Sequence, residues 1–316
     1  MNRRSMLRRF RNGRDLGSYI SVSFQITGHT ELGREKIFFE TDIHYVDIGE
    51  GEPLLLVHGI GQSLYTWRRN VDYFISEGYR VIAVDLAGFG YSGHPNIYYT
   101  AEEYALILKA FLDALNIKRA HIAACSTGCA VAVCFAAAYP ERVGKLVLVS
   151  PGSPNPGYPL GLRLLATSLG GAAFKLYFSE SSLRSVLQRA YFDATQMTKE
   201  VVEGYYAPLR SKEVRETLIS CMKHFNDEYA LSLLKSVKSE TLVFSGTEDR
   251  IHDISSARAY TGIPGSKHIR IRNCGHLVHE EKYTKFNAES GEFLKARAEE
   301  EIPVLSRRYR RELVDY

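Results

Sequence analysis

Residues 119–130, Arg-Ala-His-Ile-Ala-Ala-Cys-Ser-Thr-Gly-Cys-Ala, constrain this chain more than any other stretch. His121 to Ala124 read as a short buried strand, and Ala130 to Ala138 as a helix of small residues. Between them stands Ser126, with Ala124 two positions before it and Gly128 two positions after. A serine on so sharp a strand-to-helix turn is pushed into a strained backbone conformation, and its neighbours must be small because strand and helix pass close together. The turn lifts the hydroxyl out at the end of a sheet. A helix beginning near Thr127 turns its N-terminal amides toward that hydroxyl.

A solvated loop serine would also satisfy a five-residue match standing alone. Other stretches therefore have to agree. Asp249 follows the apolar run Thr241–Ser245, and His276 follows Ile269–Ile271. Both fall just beyond the carboxyl end of a buried strand, where open α/β sheets place their sites. Glu248 and His279 are the competing acid and base. The chemistry asks for these types. A hydroxyl is a poor nucleophile until a base takes its proton, imidazole can take and return one near neutral pH, and a carboxylate behind it fixes the tautomer.

Ala124-Cys125-Ser126-Thr127-Gly128 resembles the nucleophile elbow G-x-S-x-G of the α/β-hydrolase superfamily, with alanine meeting the steric demand of the first glycine. The order serine, aspartate, histidine is also that superfamily's order. The resemblance favours Ser126, Asp249 and His276 as a triad. His58-Gly59-Ile60-Gly61 resembles the family's oxyanion loop, which implies that the backbone amides of Ile60 and Thr127 converge on a developing oxyanion. His58 itself is read as orienting that loop. The turn from Asp85 to Gly90 matches another family feature, read as architectural. The likeness spans roughly 42–150 and 238–296.

Strand and helix patterns alternate along the chain, which implies a mostly parallel sheet wrapped by helices. Edge strands are expected at 18–27, 36–40 and 42–47. Buried strands are expected at Pro53–Val57, Arg80–Val84 and Lys145–Val149, and helices at 66–77, 101–115 and 280–297. The alternation stops between about 153 and 237. There, amphipathic patterns at 160–178, 181–191, 198–207, 211–224 and 227–236 read as a helical cap inserted in the hydrolase core of 18–152 and 238–297. The basic start 1–17 and the charged end 298–316 read as tails.

The chain of 316 residues has a net charge of +4, but residues 1–14 alone carry six arginines and no acid. The remainder is close to neutral, so a nucleic-acid-binding face on the body is not expected. No apolar stretch follows the arginines as a signal peptide would require. The longest apolar stretch, near 160–178, is broken by Arg163 and Lys175, so no stable membrane insertion is expected. Five cysteines without regular spacing imply no disulfide framework and a cytoplasmic setting. No metal-ligand spacing is present, and no cofactor is expected.

The resulting expectation is a serine hydrolase that cleaves a small or medium acyl substrate, foremost a carboxylic ester, through an acyl-enzyme on Ser126. Gly59, Phe178 and Tyr206 are the candidate substrate contacts, with Tyr205 and Tyr158 also considered for the pocket. Two alternatives stand beside it. One is a C–C bond hydrolase of meta-ring-cleavage products, a group that resembles this chain in its triad and carries a cap arginine, for which Arg184 and Arg189 are candidates. The other is a hydrolase fold that binds a ligand or partner without catalysis.

Overall fold

A computed structural model describes residues 17–30, 33–152 and 167–295. Its centre is one eight-stranded sheet in the order β1-β2-β4-β3-β5-β6-β7-β8. β1 (Ser18–Thr30) and β2 (Gly33–Ile48) form a long antiparallel pair, and β2 runs antiparallel to β4 (Tyr79–Val84). From β4 onward every pairing is parallel, through β3 (Glu52–Val57), β5 (Ala120–Cys125), β6 (Val143–Val149), β7 (Thr241–Gly246) and β8 (Lys267–Ile271). Leu54, Leu55, Leu56 and Val57 are all fully buried. Such a run fits a strand covered on both faces, whereas an alternating sequence would leave one face wet.

Helices pack on both faces. α1 (Val71–Ser76), α2 (Ala101–Ala114) and α3 (Gly128–Ala138) belong to the first half of the sheet. α2 starts at a capping box in which Thr100 and Glu103 satisfy each other's backbone amides. Between β6 and β7 lie α4 (Ser168–Tyr177), α5 (Glu180–Ala190), α6 (Lys199–Leu209), α7 (Lys212–His224) and α8 (Glu228–Ser232). α9 (Ile254–Ala259), α10 (Val278–Glu281) and α11 (Tyr283–Lys295) complete the chain. Serine or threonine caps α4, α5, α6 and α7 in turn, each accepting from an amide of the first helical turn.

Several expectations need correction in detail. The two edge strands expected at 36–40 and 42–47 are one continuous strand, held in unbroken register against β1 from Gly33↔Thr30 to Tyr45↔Ser18. The helix expected over 66–77 is a 3₁₀ turn at Leu64–Trp67 followed by α1. The final helix divides into α10 and α11, and α9 was not expected. Residues 1–16 of the basic start, the charged end 298–316, Tyr158 and Arg163 lie outside the described residues. No helix among the described residues is long and apolar enough to cross a membrane.

Candidate active site

Ser126 follows β5 directly and has φ of +53°, in the left-handed region that a side chain rarely enters. Its N–H donates to Val149 O on β6 at 2.8 Å, which fixes the turn against the neighbouring strand. The need for small residues is visible in distances. A Cβ added to Gly128 would lie 2.5 Å from His58 O, and one added to Gly59 would lie 2.8 Å from Ser126 Cβ. Cys125 and Cys129 are buried, and burial pushes both thiols well above the ordinary range, so neither offers a thiolate. The Cys125 thiol donates to Gln62 Oε1 at 3.2 Å.

Asp249 comes from the loop after β7 and His276 from the loop after β8. They are joined by a 2.8 Å hydrogen bond between Oδ2 and Nδ1, with both side chains about 5% exposed. The loop after β8 crosses β7 closely enough that a Cβ on Gly246 would lie 2.1 Å from Gly275 O. The other oxygen of Asp249 accepts from the amides of Ile251 at 2.8 Å and His252 at 3.0 Å. Burial raises the pKa of this carboxyl, but the neighbouring His276 and the two amides outweigh it and hold it below its usual range. An ionised Asp249 places the imidazole proton on Nδ1 and leaves Nε2 as the basic atom. The competing pair is used elsewhere. Glu248 accepts from the Cys274 amide, and His279 is bonded to Thr66.

Ser126 and His276 line one cavity of about 140 Å³, together with Ile60, Thr127 and Gln62. Ile60 N–H donates to Thr127 Oγ1 at 2.7 Å, so in this state the amide expected to hold an oxyanion holds the threonine hydroxyl. His58 orients the loop as its sequence suggested. Its Nε2 accepts from Leu86 N–H at 2.9 Å and its Nδ1 donates to Gly59 O at 2.7 Å. Burial lowers its pKa, in keeping with a neutral ring.

The expected substrate contacts divide. Phe178 lines the cavity. Gly59 does not; it lies beneath Ser126, and Ile60, Gly61 and Gln62 face the cavity instead. Tyr206 packs against Phe178 and beneath Arg210, and its neighbour Tyr205 takes the lining position. Successive helical residues point about 100° apart, so an error of one position changes the face. Neither candidate cap arginine lines the cavity. Arg184 pairs with Glu180 at 3.4 Å, and Arg189 donates to Arg250 O.

Sequence reading missed the polar frame behind the cavity. Glu280 accepts from Arg68 at 2.6 Å, from Thr66 at 2.7 Å, and from the hydroxyls of Tyr191 and Tyr205. Tyr205 is on α6 and Tyr191 follows α5, so this buried carboxylate binds helices from the insertion to the core. Glu281 accepts from the amides of Gly275, Phe192 and Asp193, and His276 N–H donates to Ala190 O at 2.7 Å. The histidine loop is thereby tied to the end of α5. Among the described residues no cluster of three or more His, Cys, Asp or Glu could hold a metal ion.

A family model described as the alpha/beta hydrolase fold matches residues 52–283. A 2-hydroxy-6-oxo-6-phenylhexa-2,4-dienoate hydrolase from Comamonas testosteroni is 32% identical over 281 residues, covering 83% of this chain and 94% of its own. A 2-hydroxy-6-oxononadienedioate/2-hydroxy-6-oxononatrienedioate hydrolase from Paraburkholderia phymatum is 34% identical over 285 residues, covering 84% and 97%. Among solved structures, a meta-cleavage product hydrolase from Pseudomonas fluorescens superposes with a TM-score of 0.69 at 27% identity, covering 80% of this chain and 94% of that one.

Proposed function

Since the chain belongs to the α/β-hydrolase family, we propose that it is a serine hydrolase that cleaves a carbon–carbon bond beside a ketone, because its relatives are named hydrolases of 6-oxodienoates, compounds that contain no ester bond. The observation that carries the proposal is that His276, bonded to Asp249, lines one cavity with a strained Ser126. The extent of the similarity to these oxodienoate hydrolases ranks this bond above an ester.

In this reading His276 Nε2 takes the proton of Ser126 as Oγ attacks the carbonyl carbon. Asp249 stabilises the imidazolium that results. The oxyanion is held by the amides of Ile60 and Thr127, with the Thr127 hydroxyl swinging away from Ile60 N–H to make room. Collapse breaks the bond to the adjacent carbon. This requires that the dienol has first ketonised, its enol proton passing to the adjacent carbon; the electron pair of the broken bond then passes through the neighbouring double bond to the conjugated carbonyl, whose oxygen takes the proton from His276. Water, deprotonated by His276, then releases the acid from Ser126.

The second reading is a carboxylic ester hydrolase. The apolar character of most of the cavity wall favours it, because a dienoate brings a carboxylate that needs a partner. The test is to offer a 6-phenyl-6-oxodienoate, as the free acid and as its methyl ester, to the wild type and to Ser126→Ala. Benzoate released by the wild type alone is the expected result. If p-nitrophenyl esters turn over while neither dienoate form yields benzoate, the C–C reading is wrong and the ester reading takes its place.

A further inference from the structure

We propose that the acyl cavity is built for an uncharged hydrocarbon group, so that the substrate carries no carboxylate on the part bound there. This rests on the hydrolase reading of the same site and names the class of group it takes. Most of the wall is apolar, from Phe174, Phe178, Leu183, Leu187, Leu218 and Met222. The polar side chains that reach it are Gln62, Ser126, Thr127, Tyr205 and His276. No lysine or arginine lines it among the described residues.

Several of these polar groups are already engaged. Gln62 Oε1 accepts from Gly59 N–H and from Cys125. The Tyr205 hydroxyl is bonded to Glu280 and Thr66, and His276 to Asp249. Arg68, a buried cation 6.0 Å from the ring of the lining residue Tyr205, stacks over the Tyr65 ring and is paired with Glu280. Its charge is cancelled before it reaches the cavity. A carboxylate pushed into this space would lose its water and gain no cation in return. The volume of about 140 Å³ is close to that of an engineered apolar cavity of about 150 Å³ that accepts benzene. A phenyl ring or a chain of comparable bulk therefore fits, and the wall rewards it by the area removed from water.

The experiment compares two esters of the same chain length, p-nitrophenyl hexanoate and mono-p-nitrophenyl adipate, which differ by a terminal carboxylate. The full-length protein should favour the hexanoate in kcat/KM by at least about 100-fold, as the loss of an unpaired buried charge implies. Met222→Arg places a cation at a partly buried position of the wall and should narrow that ratio by about tenfold or more through the adipate. Equal rates on the two esters in the wild type, or a preference for the adipate, would overturn the inference. Fluorophosphonate labelling of Ser126 reports on the underlying reading alone. A folded protein that fails to label defeats the hydrolase reading, whereas a labelled protein with equal kcat/KM values defeats only the inference about charge.

Discussion

At the scale of single residues, the elbow depends on backbone approach more than on side-chain bonding. Gly128 faces His58 O at a distance that admits no Cβ. Gly128→Ala should therefore displace the oxyanion loop and lower kcat by at least about 100-fold, comparable to the loss of one oxyanion donor. An activity assay beside a circular dichroism spectrum checks this. The hydrogen bond from Ile60 N–H to Thr127 Oγ1 gives a second prediction. If the hydroxyl only occupies the amide between turnovers, Thr127→Val should keep kcat within about threefold of wild type. A fall of about 10² or more would mean that the hydroxyl itself steadies the oxyanion.

At the scale of elements, the sequence is most legible where one residue type does one geometric task. The small residues around Ser126 announce a close approach, and the apolar runs at β3 and β5 announce buried strands. Asp249 and His276 were legible because both follow such runs. The helix faces in the insertion were not, since Tyr205 and Tyr206 are chemically alike and only packing decides which one turns inward. The Arg68–Glu280 pair was invisible for a different reason. Its members lie more than two hundred positions apart, and neither belongs to a motif. Glu280 is held ionised against its burial chiefly by Arg68, so its pKa is lowered. Its contribution to stability is present above the ordinary glutamate range and is lost as pH falls through the lowered value. Glu280→Ala should cost about 3–5 kcal/mol in a denaturant melt, because Arg68 is left buried without its partner. Arg68→Met together with Glu280→Ala should cost less than Glu280→Ala alone.

Asp227, just before α8, shows the opposite sign. Burial raises its carboxyl to about 7, and Oδ1 has no hydrogen-bond partner among the described residues. In the unfolded chain it ionises near the ordinary value, while the folded protein keeps it neutral. Its penalty is therefore absent below about pH 4, grows as pH rises toward 7, and then levels off. Asp227→Asn should remove that trend, so the gain in melting temperature over wild type should be larger at pH 8 than at pH 4. A gain that does not change with pH would assign the effect to packing.

At the scale of the whole molecule, a mostly parallel sheet brings the loops after β5, β7 and β8 together, and residues of α4 to α7 line the same cavity. The two parts are joined at the histidine loop through Ala190, Glu280 and Glu281. The histidine loop and the helices between β6 and β7 thus share one set of hydrogen bonds, and those helices supply most of the apolar wall. The most direct measurement is rapid-quench mass spectrometry with p-nitrophenyl hexanoate, followed by peptide mapping. The account predicts a hexanoyl group on the peptide containing Ser126, formed within the first turnover and absent in Ser126→Ala. Full turnover with no acylated peptide, or an acyl group mapped to another residue, would contradict it.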